Sequence, residues 1–70
     1  MAGTVARVTE ISASSETSFE DAIKVGLDRA TRTLRQVSSA WVKEQKITLD
    51  GKGNITAYVV HLLVTFVLDD

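Results

Sequence analysis

The sequence predicts an α+β fold: a βαββ subunit whose three-stranded antiparallel sheet, in the order 1-3-2, wraps around one helix. Three observations predict it. Thr4 to Ser12 alternates apolar and polar residues and ends in a polar cluster, as a half-buried strand does. Phe19 to Val37 repeats apolar residues at 3-4-3 spacing, as an amphipathic helix does. Ala40 to Leu49 and Ile55 to Leu68 are two strand-like runs joined by a glycine-containing turn.

The elements follow in order. After the first strand, Ser12-Ala13-Ser14-Ser15-Glu16-Thr17-Ser18 reads as a turn. Thr17-x-x-Glu20 matches a capping box, with Ser18 as the alternative N-cap. No glycine-rich loop accompanies these hydroxyls, so capping is a better reading of them than phosphate binding. The helix stripe is Phe19, Ile23, Leu27, Ala30, Leu34 and Val37, and the other faces carry Glu20, Lys24, Asp28, Arg32 and Arg35. Gly26 costs about 1 kcal/mol of helix propensity and fits a place of close backbone packing. The acid-first, base-last order along the helix suits its macrodipole and explains Arg32 and Arg35 without a ligand.

Asp50-Gly51-Lys52-Gly53-Asn54 is the hairpin turn, with both glycines expected to supply positive φ. Strands one and two run the same way, because the helix returns the chain between them. In an all-antiparallel sheet the third strand therefore lies in the centre. Its Tyr58, Val60, Leu62, Val64 and Phe66 share the face that packs on the helix. Val59, His61, Leu63, Thr65 and Val67 share the opposite face, where Val59, Leu63 and Val67 are large and apolar. One helix cannot cover both faces, so a second subunit is the expected cover.

Composition points the same way. Seventy residues make one domain with a small core. Such chains usually need a disulfide, a metal or a partner. The chain has no Cys and one His, which removes disulfides, thiolate metal sites and a zinc site within one subunit. Oligomerisation remains. A net charge of −1 with dispersed basic residues leaves no nucleic-acid footprint. Met1-Ala2-Gly3-Thr4-Val5-Ala6-Arg7 lacks the order of a signal peptide. The most apolar run, Ile55 to Leu68, spans roughly 14 residues, too few for a membrane helix. A cytoplasmic protein without membrane or nucleic-acid partners is the expectation.

These residues in this order resemble the dodecins, small flavin-binding proteins that assemble as hollow homododecamers. The resemblance is carried by Glu10-Ile11, Ser14-Ser15, and Phe19-Glu20-Asp21-Ala22-Ile23. It continues through Ala30-x-x-Thr33-Leu34-Arg35, Val42-Lys43-Glu44 and the closing Tyr58-x-Val60-x-Leu62-x-Val64-x-Phe66-x-Leu68. It implies one dodecin-like domain over residues 1–70, a homododecamer built from trimers, and no enzymatic activity.

The resemblance also locates the flavin site, and this chain departs from it there. Family members usually carry a tryptophan that stacks on the isoalloxazine ring; Ser39 holds that position. The family's arginine after the strand-two glutamate becomes Lys46. The glutamine that reads the flavin edge becomes Val59. A serine has no π-face, a valine neither donates nor accepts, and a lysine lacks the planar fork. Trp41 lies two residues past Ser39 on the same strand face. It reads either as a displaced stacking platform or, better, as a large aromatic filling a subunit interface. Weak binding of FMN, FAD or riboflavin is the expectation.

Some dodecin-like proteins lacking the flavin aromatic have been associated with calcium, and Glu44-Gln45 brings this chain closer to that branch. The oxygen-rich pool is Glu10, Glu16, Glu44, Asp50, Asp69 and Asp70. Glu16 and Glu44 are the preferred metal ligands, acting between subunits. The hairpin turn is no EF-hand, which needs a longer loop and a closing bidentate Glu. His61 reads as an interfacial or cavity-facing residue, with a metal role only if threefold packing gathers three copies. Three functions stay open: a shell holding flavin or another planar ligand, a calcium-binding shell, and a purely structural one.

Overall fold

The computed structural model describes residues 3–68. Its elements are β1 (Ala6–Ser15), α1 (Phe19–Thr33), β2 (Val37–Leu49) and β3 (Ile55–Val67). The sheet is antiparallel with order β1-β3-β2, as the alternation and the helical crossover predict. Asp69 and Asp70 of the acidic pool lie outside the described residues.

Element ends differ from the expectation in ways that have physical causes. β1 continues to Ser15, not Ser12, because Ser12 to Ser15 stay paired with β3, from Ser12 opposite His61 to Ser15 opposite Tyr58. The turn thus shrinks to Glu16, Thr17 and Ser18. Ser18, not Thr17, is the N-cap: its extended backbone (φ −169°, ψ 166°) lets Oγ accept from the Asp21 amide at 3.0 Å. The Asp21 carboxylate in turn accepts from Ser15 Oγ at 2.6 Å, tying the helix entry to the end of β1.

The helix stops at Thr33, four residues before Val37. Leu34 is already extended, and its amide makes a last bond to the Ala30 carbonyl at 2.8 Å. Gln36 takes a left-handed φ of 58°, a conformation that usually selects glycine. Val37 therefore opens β2 rather than closing the helix stripe. In the hairpin turn, Gly53 (φ 86°) supplies the positive φ, whereas Gly51 does not.

The core lies between α1 and one face of the sheet. Val60, Leu62 and Val64 are fully buried, on the face of β3 expected to meet the helix. The helix contributes Ala22, Gly26 and Ala30 as its buried residues, while Phe19, Ile23 and Leu27 flank them half-covered. Small residues at i, i+4 and i+8 form a seam along which the helix backbone approaches the sheet. A Cβ at Gly26 would stand 3.0 Å from Ala13 Cβ and 3.2 Å from Leu62 Cδ1. The glycine sets how closely α1 and β1 can pack. Surface pairs Lys24–Glu20 (3.4 Å) and Arg32–Asp28 (3.0 Å) line the outer helix face and add little stability.

Candidate functional site

The outer sheet face, turned from the helix, is where the candidate residues gather. The β1 and β3 registers put Glu10 opposite Leu63, Ser12 opposite His61 and Ser14 opposite Val59. On the other side of β3, Ser39 stands opposite Thr65, Trp41 opposite Leu63, Glu44 opposite His61 and Lys46 opposite Val59.

Regular alternation would not produce this arrangement. Val42 opposite Leu62 belongs to the helix-facing side, yet Glu44 lies opposite the next β3 residue, His61. Lys43 is the extra residue of a β-bulge, and it inverts the parity of β2. Ser39 and Trp41 precede the bulge, Glu44 and Lys46 follow it, and all four face outward. A second shift, between Val37 and Ser39, lets Val37 join the core while Ser39 faces out.

Ser39, Trp41, Lys46 and Val59, named from the family pattern, thus occupy one surface. Trp41 is 69 % exposed there, an unusual position for so large an apolar side chain. Glu44 shares the surface, but Glu16 does not: it lies in the exposed β1–α1 turn. Strand spacing and rise put Glu16 and Glu44 on the order of 16 Å apart, so one subunit cannot bring them to one cation. Among the described residues no group of three or more His, Asp or Glu side chains is placed to hold a metal ion.

The structure adds a small polar cluster at the centre of this face. The Glu10 carboxylate sits 3.4 Å from Lys43 Nζ and 3.8 Å from His61 Nδ1. It spans the sheet from β1 across β3 to the bulge of β2. Residue periodicity turns His61 outward but carries no sign of Glu10 beside it, since that contact depends on the β1–β3 register. The bulge itself directs Lys43 toward Glu10.

A concavity lies elsewhere. A cleft of ≈ 600 Å³ opens between β1 and α1, floored by Ile11, Ala13, Gly26, Ala30 and Leu34. None of Ser39, Trp41, Lys46, Val59, Glu16 and Glu44 lines it. No helix among the described residues is long and apolar enough to cross a membrane.

A βαββ subunit with one sheet face covered by the helix and one open face that carries Trp41 defines a small α+β protein. The dodecin family profile matches residues 5–69, and the chain belongs to the dodecin family. Solved structures agree. The tt0972 protein of Thermus thermophilus is 37 % identical, with a TM-score of 0.88 over 97 % of this chain and 98 % of that one. Dodecin from Streptomyces davaonensis is 32 % identical, with a TM-score of 0.91 over 99 % and 100 %. Calcium dodecin from Mycobacterium tuberculosis, a calcium-chelating antigen, is 32 % identical, with a TM-score of 0.81 over 93 % and 91 %. No curated protein sequence matches the chain significantly.

Proposed function

We propose that this chain is the subunit of a cytoplasmic homododecameric shell, built from trimers, that holds a small planar ligand and performs no catalysis. Family membership supports the shell. The observation that carries the ligand reading is Trp41, exposed on the outer face beside Ser39 and on the same side as Lys46 and Val59. An indole in that position offers a π-face to a planar ring, and Lys46, on the order of 13 Å further along the same face, offers a cation to a distal group of the ligand. The flavin site is degenerate, because the stacking position is Ser39 and the edge-reading position is Val59. One aromatic stack is worth about 1–3 kcal/mol. Loss of the regular stack and of an edge hydrogen bond therefore weakens flavin binding tens to thousands-fold relative to a dodecin that retains them. Trp41 recovers part of that loss. The test is the absorption spectrum of the intact oligomer, followed by flavin fluorescence titration. Quenching that Trp41→Ala abolishes supports the reading. Absence of quenching by riboflavin, FMN and FAD removes flavin as the ligand.

The second reading, a calcium-binding shell, is favoured by the likeness to the mycobacterial calcium dodecin. Glu16 and Glu44 are its ligands, supplied by different subunits together with backbone carbonyls or water. Both side chains are exposed. A native-state ligand at 100 times its Kd adds about 2.7 kcal/mol of stability. Calcium then raises the melting temperature of the assembly, and Glu16→Gln or Glu44→Gln reduces that gain. An unchanged melting temperature at millimolar calcium, with no metal by elemental analysis, leaves the structural shell.

A further inference from the structure

We propose that His61, oriented by Glu10, reads the N–H edge of a flavin-type ring stacked on Trp41 of the same subunit. The inference deepens the planar-ligand reading above and rests on it.

The strand registers divide the outer face into rows. One row is Glu10, Leu63 and Trp41; the next, toward the hairpin turn, is Ser12, His61 and Glu44. Trp41 and His61 are therefore diagonal neighbours across β2 and β3, about 7–8 Å apart, a span that an aromatic side chain bridges. The positions taken from the family pattern lie farther apart on one subunit. Ser39 stands opposite Thr65, on the order of 20 Å along β3 from Val59. Trp41 lies one row nearer the turn than Ser39, and His61 one row farther from the turn than Val59. The two displacements converge. They bring an aromatic platform and a polar side chain into adjacent rows of one chain, where the family positions hold a serine and a valine.

The chemistry of His61 selects the edge it can read. Glu10 on β1 has Oε1 at 3.4 Å from Lys43 Nζ and Oε2 at 3.8 Å from His61 Nδ1. A carboxylate only accepts, so it favours the neutral imidazole tautomer that carries its proton on Nδ1. The two ring nitrogens point in divergent directions, and Nε2 is left as an acceptor. The imidazole is 28 % exposed, enough to meet a ligand, while its stem stays fixed in the central strand. Glu44 faces His61 from β2, so two carboxylates and one ammonium, that of Lys43, surround the ring. That balance disfavours an anionic edge and suits a donor. The pyrimidine edge of a flavin is such an edge, with one N–H between two carbonyls. Val59 offers that N–H no acceptor; His61 does.

Riboflavin and 3-methylriboflavin, which carries a methyl group in place of that N–H, test the assignment on the intact oligomer. Both rings can stack on Trp41, but only riboflavin can donate to His61. Fluorescence titration should show the parent chain binding riboflavin about ten-fold or more tightly than the methylated ring, the equivalent of about 1.4 kcal/mol or more. His61→Leu should weaken riboflavin until the two affinities are equal, with the sedimentation profile unchanged. Equal affinities in the parent chain overturn the proposal without any variant. A preference that survives in His61→Leu overturns it as well, because another group then reads the edge. In both cases flavin still binds, and the planar-ligand reading stands. A parent chain that binds neither ring rejects the flavin reading itself, and the role of His61 with it.

Discussion

Trp41 and Lys46 face the same side of β2 although one has an odd number and the other an even one. The bulge at Lys43 makes this so, and it places an exposed indole and an ammonium on one surface, opposite Leu63 and Val59 of the central strand. Both residues should then act on one ligand. Trp41→Ala should lower affinity for a planar ligand about ten-fold or more, the equivalent of about 1.4 kcal/mol or more from a lost stack. Lys46→Ala should lower it less, and chiefly for ligands that carry phosphate. Restoring the family pattern with Ser39→Trp and Val59→Gln should strengthen quenching of flavin fluorescence. Equal affinity for flavin in the parent and the restored variant would refute the assignment of this face.

Leu63 lies at the centre of the outer face, between Glu10 on β1 and Trp41 on β2. An aspartate there faces away from Val60, Leu62 and Val64, so the subunit core is untouched. In an assembled shell that covers this face the new carboxylate is desolvated beside the like charge of Glu10, at a cost on the order of 3–5 kcal/mol per site. Leu63→Asp should therefore shift the sedimentation profile from a large particle to small species while far-ultraviolet circular dichroism keeps its shape. An unaltered particle would show that this face looks onto solvent.

The broad architecture was readable from residue order, because periodicity changes from two to 3.6 and back, and the helical crossover leaves β3 no place but the centre. The two faces of β3 were readable for the same reason: Val60, Leu62 and Val64 alternate with His61 and Leu63 without interruption. β2 was not, because Ser38 and Lys43 are extra residues in stretches too polar to show where alternation breaks. The helix stripe includes Ala30, and Gly26 reads as a place of close packing. The stripe otherwise points to Phe19, Ile23 and Leu27, which are half-covered, and misses Ala22, which is buried. Large side chains flank a close helix–sheet seam, and only small ones fit inside it. The helix end was hidden because Gln36, not glycine, takes the left-handed turn. The Glu10–His61 proximity depends on pairing between strands far apart in the chain, which no local pattern encodes.

Gly26 gives a direct test of that seam. Replacing it by alanine adds helix propensity of about 1 kcal/mol. The added methyl, however, meets Ala13 Cβ at 3.0 Å, and Ala13 is anchored on β1 where it cannot swing aside. Overpacking of this kind typically costs about 1–3 kcal/mol. Gly26→Ala should be neutral to destabilising by about 2 kcal/mol, and Gly26→Val clearly worse. Urea midpoints at one fixed protein concentration measure this. A stabilised Gly26→Ala variant would show that helix and strand separate without cost.

Asp50 organises the hairpin tip, and its protonation should loosen it. Its Oδ1 accepts from the amides of Lys52 at 2.7 Å and Asn54 at 3.0 Å, and Oδ2 accepts from Asn54 Nδ2 at 3.1 Å. The Asn54 backbone bond, then that of Lys52, then the Asn54 side chain hold the carboxyl below its ordinary value of 3.8, against a small opposing effect of desolvation. A folded-state value lower than the unfolded one means that the ionised carboxylate stabilises the turn above the ordinary value. That contribution is lost as pH falls through the lowered folded value. The amide resonances of Lys52 and Asn54 should therefore titrate together, with a midpoint below 3.8. Asp50→Asn should remove the titration and raise amide exchange at the tip at neutral pH, since a neutral amide accepts more weakly than a carboxylate. A midpoint at or above the ordinary value would mean that these hydrogen bonds do not hold in solution, and that the hairpin tip is less ordered than Asp50's three accepted hydrogen bonds imply.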